Sequence, residues 1–301
     1  MRVLEDEVVA TPSGIRRPPK PRLWAAAVGS VREMVDSRNL LANLTLRELR
    51  GKYKRSLLGW AWSLVNPLAT MAIFAVVFGV FLKVQVPPGD PSGLHVFALF
   101  LLCGILPWNL VANGMTGSMG TMLANSNLIK KVYFPRQVLI AANVASSVVA
   151  FLIEMGVLAV ALLVAGNFVI PWLLPVLVLM VLQFVFVLGI GLAFGVLNVY
   201  FRDVQHFTSI LLQLWFYGTP VVYPVTVVPQ TAHAFGVAIP VRFLYDLNPM
   251  VRFVGVYRDL LYDVRAPAAG DLLYLLAVSA VTLLIGLVIF ARLEPKLAEE
   301  L

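Results

Sequence analysis

Long apolar runs separated by short polar segments set the pattern of the chain. The first run, Trp60–Leu82, is 23 residues without a charge. As a helix it would be about 34 Å long, enough to cross a bilayer core. Further runs cover Leu94 to Val111, Val138–Val164 (interrupted only by Glu154), Trp172–Phe201, Phe207–Val228 and Leu272–Ala291. No Asp, Glu, Lys or Arg occurs in the 47 residues from Met155 to Phe201. One spanning helix needs about 20 residues, so this stretch holds two, parted at Gly166-Asn167 ahead of Pro171. The pattern predicts an all-α membrane protein with six transmembrane helices between residues 60 and 292.

Composition removes the soluble alternatives. Of the 301 residues 60% are hydrophobic and 13% charged, against about 45–50% and about 25% in a typical soluble domain. So few charges cannot cover a surface that faces water on all sides, which excludes an ordinary soluble or a disordered chain. The net charge is +7, and twelve of the 23 Lys and Arg precede Trp60. In a membrane protein such a bias reads as topology, and no nucleic-acid partner is expected. Lys130, Lys131 and Arg136 follow the second run, Arg202 the fourth, and Arg292 and Lys296 the last. The even loops and both termini are therefore expected in the cytoplasm. One cysteine, Cys103, and three histidines far apart in sequence (His95, His206, His233) supply no disulfide and no metal-ligand spacing.

Several segments do not simply span. Residues 1–35 read as a cytoplasmic tail, polar and proline-rich at its start, and 293–301 as a second tail. Within 36–58, Leu46, Leu49, Tyr53 and Leu57 fall on one helical face and Arg47, Arg50 and Lys54 on another. A basic amphipathic helix just before a span lies in the membrane interface. It serves either as a topology anchor or as a docking surface for a cytoplasmic partner. The loop Thr116–Gln137 ends in its basic cluster and has room for a short helix. After the fifth run, 38 residues from Val204 to Val241 carry no charge yet include Pro220, Pro224, Pro229 and Pro240. A re-entrant or interfacial helical pair over 229–262, on the external side, fits that pattern, because irregular backbone at membrane depth must be buried in protein or line a cavity.

The chain carries no G-x-x-x-x-G-K-[ST] loop, no nucleophile elbow and no H-E-x-x-H. Catalytic, metal-binding and cofactor-binding residues are therefore not expected. Gly191-x-x-x-Gly195 allows close helix packing. Glu154 is the one acid well inside a span, which makes it a functional candidate. Neighbouring spans offer it no charged partner, and either hydrogen bonds to Ser, Thr or Asn or a wet lumen would accommodate it.

Four stretches together are similar to one family. Residues 47–68 (RELRGKYKRSLLGWAWSLVNPL), 131–139 (KVYFPRQVL), 198–224 (NVYFRDVQHFTSILLQLWFYGTPVVYP) and 247–262 (LNPMVRFVGVYRDLLY) resemble permease subunits of the ABC transporter type-2 family. The subgroup most resembled exports lipid-linked polysaccharides such as O-antigen, teichoic acid and cell-wall galactan. The resemblance implies a homodimeric channel with two copies of a separate cytoplasmic ABC ATPase beneath it, ATP and Mg residing on that partner. It makes 36–58 the interface helix, 116–130 the site of a coupling helix and 229–262 the external gate. Docking candidates are then Arg47, Arg50, Lys54, Asn125, Lys130, Lys131 and Arg136. A polymer path is wider than six helices enclose, so it would lie between two subunits, lined by aromatic faces that hold sugars weakly. Phe74, Phe78, Phe81, Trp215, Phe216 and Tyr217 are its candidates, the remaining contacts being membrane lipids. Two alternatives stand beside this reading: a type-2 permease for drugs or small lipids, and a membrane-embedded glycosyl or acyl transferase using Asp246, Asp259 or Asp263. The missing phosphate loop makes a direct prediction: the purified chain alone hydrolyses no ATP, and hydrolysis appears only on mixing with a partner ATPase, as a phosphate-release assay would read.

Overall fold

The computed structural model describes residues 23–52, 59–81, 88–234 and 237–301. Helices α1 (Leu23–Asp36) and α2 (Arg38–Lys52) precede the first span. Helix α3 (Trp62–Phe74) continues as a π-helical stretch, Ala75–Phe81. Then follow α4 (Phe97–Ala124), α5 (Ser126–Lys131), α6 (Gln137–Val164), α7 (Leu173–Tyr200) and α8 (Val204–Tyr217). A hairpin of three-residue strands, β1 (Ala232–Ala234) and β2 (Val237–Ile239), pairs antiparallel with His233 opposite Ala238. It is the only β element among the described residues of an otherwise helical chain. Helices α9 (Val241–Asp246), α10 (Pro249–Arg258, extended by a π turn Asp259–Asp263), α11 (Ala269–Leu293) and α12 (Leu297–Glu300) complete the fold.

Among the described residues five segments are long and apolar enough to cross a bilayer: Trp62–Phe81, Phe97–Ala124, Gln137–Val164, Ile170–Tyr200 and Ala269–Glu300. The fifth predicted run, Phe207–Val228, is not one long helix. Its helical part, α8, has 14 residues and measures about 21 Å, short of the roughly 30 Å of a hydrocarbon core. Pro220 and Pro224 lack the N–H that would continue the helix. An unbroken apolar run could not reveal that stop, because hydropathy counts side chains and not backbone donors.

The second span errs in the other direction. It runs on through Thr116–Ala124, which the sequence reads as loop. The hydroxyls of Thr116, Ser118 and Thr121 donate to the carbonyls of Ala112, Gly114 and Gly117 one turn back, so the polar residues stay inside the helix. Of the loop expected over 116–137, only Asn125–Arg136 lies outside the two long helices.

Helix α4 is the central post, with 78% of its spanning window buried, against 6% for α3 at the periphery. Helices α4, α6 and α7 close on one another through small residues. Added Cβ atoms on Gly191 and Gly195 would come within 2.6 Å of Ser118 Oγ and 2.8 Å of Ile140 Cδ1, so this glycine pair serves packing. The closest backbone approach joins α7 to α11. A Cβ on Gly286 would lie 2.1 Å from the Gly189 carbonyl oxygen, and one on Gly189 2.5 Å from the backbone of Thr282 and Leu283. Backbone cannot yield as a side-chain tip can. Gly286→Ala is expected to lower stability by about 1–3 kcal/mol, seen as a lower thermal midpoint in detergent. Gly156→Ala, where nothing lies within 4 Å, is expected to leave the midpoint unchanged or slightly higher.

Candidate functional site

One end of the bundle is built around α10. Its start is fixed by Asn248, whose side chain accepts from the Met250 N–H (3.0 Å) and from the Trp215 indole N–H (2.8 Å). The same side chain donates to the Gly218 carbonyl and to Thr219 Oγ1, at 3.0 and 3.1 Å. Pro249 sits at the first helical position, where its missing N–H costs nothing. Met250, Phe253, Val254 and Tyr257 are fully buried, so α10 runs inside the protein and not over its surface. Tyr257 donates to Gln183 on α7 (2.9 Å), and Gln183 donates to the Pro107 carbonyl on α4 (2.7 Å).

Arg258 ends α10 and is only 8% exposed. Its Nη1 and Nη2 donate to the carbonyls of Pro220 and Val221, each at 2.6 Å, in the proline-broken segment after α8. The guanidinium lies over the Phe100 ring, 3.7 Å from its centroid. Gly104 leaves the space: a Cβ there would meet Nη2 at 2.9 Å.

Above Arg258 opens a cavity of about 600 Å³ lined by charge of both signs, including Asp246, Asp259, Asp263, Asp271, Arg242, Arg252 and Arg265. Arg265 pairs with Asp259 and Asp263, Arg242 with Asp246, and Arg252 with Asp271. Val264, in the left-handed region at φ 63°, turns the chain so that Arg265 comes back over both aspartates. Burial raises the carboxyl pKa of Asp259 and of Asp263, and Arg265 opposes the rise; the hydrogen bond that Arg265 donates to Asp259 in turn raises Arg265. Asp246, Asp259 and Asp263, scattered in sequence, thus share one cavity, and each is bound to an arginine.

The aromatic candidates fall into two groups. Phe74 and Phe78 are half-buried and 5.7 Å apart, and Phe78 stacks on Phe97 at 4.7 Å, whereas Phe81 is 73% exposed. Trp108 meets Trp215 at 5.7 Å and Phe216 at 5.5 Å, edge to face. Tyr217 is exposed.

The docking candidates gather at the opposite end. Arg47 donates to Asn125 across 2.7 Å and pairs with Glu48. Arg50, Lys130 and Lys131 are exposed. Arg136 instead turns inward and donates to the Glu294 carbonyl at 2.7 Å, while Tyr200 holds the Leu293 carbonyl at 2.6 Å. Lys54 lies outside the described residues. Glu154 lines a cavity of about 20 Å³ with Lys52, Asn113 and Ser147. Its cationic neighbour comes from α2 and not from a span, which a search confined to spans misses.

Residues 39–262 match the ABC-2 type transporter family. The chain belongs to that family. It is therefore a membrane component of a transporter and not itself an enzyme, which removes the transferase alternative. The permease is 33% identical over 275 residues to the O-antigen export system permease protein RfbA of Myxococcus xanthus, covering 90% of this chain and 98% of the relative. A Klebsiella pneumoniae permease of the same name is 30% identical over 267 residues, with 87% and 94% covered. The polysialic acid transport protein KpsM of Escherichia coli is 25% identical over 252 residues, with 83% and 92% covered. Within this permease, Lys52 and Glu154 are expected to be coupled by about 1 kcal/mol. In a double-mutant cycle of thermal stability, Lys52→Met should destabilise the unaltered chain more than it destabilises the Glu154→Gln chain; strict additivity would mean that the two charges do not sense each other.

Proposed function

We propose that this chain is the channel-forming subunit of an ATP-driven exporter of lipid-linked polysaccharide across the bacterial plasma membrane. The observation that carries the proposal is the match along nearly the whole chain to permeases named for O-antigen export. Two copies form the channel, and two copies of a cytoplasmic ABC ATPase, holding ATP and Mg, dock beneath. The exposed Arg50, Lys130 and Lys131, together with the Arg47–Asn125 contact, form the docking end. Helix α8 and the segment Gly218–Tyr223 together make the fifth of six crossings, and α9 and α10 form the external gate. Both termini lie in the cytoplasm.

Packing supports a path between subunits. The interior between α4, α6, α7 and α10 is filled by side chains. Helix α8 leaves a stripe uncovered: Phe207, Ile210, Leu214 and Tyr217, at steps of three, four and three, are all at least 60% exposed. On one helix this is a face awaiting a partner or the lumen. Of the six aromatic candidates, Phe81 and Tyr217 are the two free to line it, because Trp215 is tied to Asn248 and the others pack within the bundle.

A strain lacking the gene is expected to retain its polymer inside the plasma membrane and to regain surface polysaccharide on complementation; unchanged surface polysaccharide would overturn the proposal. For the path, single cysteines at the six aromatic positions in a Cys103→Ala background are expected to react with an impermeant thiol reagent during turnover at residues 81 and 217, and not at 74, 78, 215 or 216. Labelling of the second group alone would move the path elsewhere.

A further inference from the structure

The external cavity has a charge pattern that selects its ligand. It lies at the end of α4 opposite Asn125, Lys130 and Lys131, between the α3–α4 connection, the Pro220–Thr226 segment and α10. Its wall carries four arginines (Arg242, Arg252, Arg258, Arg265) and five aspartates (Asp90, Asp246, Asp259, Asp263, Asp271). Four of the five aspartates are already matched. Arg242, Arg252 and Arg265 each hold an aspartate. Arg258 is committed to carbonyls, yet its buried Nε has no partner among the described residues.

Such a wall is a poor anion site, since every incoming negative charge meets several carboxylates, and a poor cation site for the converse reason. It is a good site for a ligand that both donates and accepts hydrogen bonds without charge. A carboxylate accepts only and a guanidinium donates only. Adjacent hydroxyl groups on a ring donate to the first and accept from the second, and an arginine–aspartate pair offers both side by side. At about 600 Å³ the cavity lies within the roughly 300–1,000 Å³ of small-ligand clefts. Asp246 and Arg265 keep 42% and 49% of their side-chain surface exposed, so a ligand can reach them.

We infer that this cavity is a subsite for an uncharged sugar ring, holding one residue of the polymer as it leaves the permease. The inference rests on the export reading above and adds a place and a charge class to it. Weak binding is what such a site requires, because a polymer held tightly at the exit would stop.

The test uses the full-length chain with its ATPase in lipid nanodiscs and reads ligand contact by saturation-transfer NMR. The probes are the methyl glycosides of galactose, mannose, rhamnose and N-acetylglucosamine, with glucuronate and glucosamine as charged comparisons. Asp246→Asn and Arg265→Gln change the net charge of the wall in opposite directions. If the ligand is an uncharged ring, both variants weaken neutral glycoside binding by about tenfold, the loss of one charge-assisted hydrogen bond, and glucuronate and glucosamine stay weaker than the neutral probes. Stronger binding in one variant and weaker in the other, or preference for either charged probe, overturns the inference in favour of an ionic ligand. No neutral glycoside contact at about 10 mM also overturns it. Export is scored separately in cells. Gene-dependent export without glycoside contact defeats this inference alone, whereas glycoside contact without gene-dependent export defeats the export reading.

Discussion

Backbone that cannot be helical must find its hydrogen bonds elsewhere, and at membrane depth water does not supply them. In this permease one guanidinium does so. Arg258 closes on the carbonyls of Pro220 and Val221, groups left over where prolines stop α8. That contact allows the chain to leave the helix while still inside the protein. The half of the structure around α10 depends on it: α10 is positioned by its own last residue, the cavity takes Arg258 as its floor, and Gly104 and Phe100 on α4 are shaped to receive the side chain. A lone buried arginine would be costly. Charge-assisted bonds to carbonyls and the ring face of Phe100 offset that cost.

The opposite half is held by different means. There the helices meet through small residues, with Gly189 against Gly286 the tightest crossing. The ends are tied by single side chains: Arg47 to Asn125, Arg136 to the Glu294 carbonyl, Tyr200 to the Leu293 carbonyl. A force applied to α2 or α5 therefore reaches α4 and α6 first. Helix α4 passes without a break from that end to Phe100 beneath the cavity, so the two ends of the molecule share one post.

Hydropathy made the long helices legible, because a span is recognised by an uncharged run of sufficient length. It failed where the decisive quantity was not hydropathy. Pro220 and Pro224 shorten α8 although the run around them stays apolar. Thr116, Ser118 and Thr121 look like loop residues, yet they extend α4 by bonding to their own helix. The partners of chemically distinctive residues were the least legible part of the site. Arg258 looked like one of several external charges, Asn248 gave no sign that it joins α8 to α10, and Glu154 found its cation on α2. Three aspartates that appear scattered in sequence share a cavity because α9, α10 and the turn after it fold back over the end of α4. Sequence spacing carries local periodicity. It does not carry these meetings between distant segments.

Many of the ties at the α10 end have one thing in common: their acceptors are main-chain carbonyls. Arg258 holds Pro220 and Val221, Asn167 holds Leu261 and Tyr262, Ser92 holds Tyr262, and the Tyr262 hydroxyl holds Leu94. A carbonyl is the same whatever side chain it belongs to. The donors are thus fixed in kind, while many of the residues they grip are free to change. The scaffold can therefore keep its shape while the side chains around the cavity are rewritten.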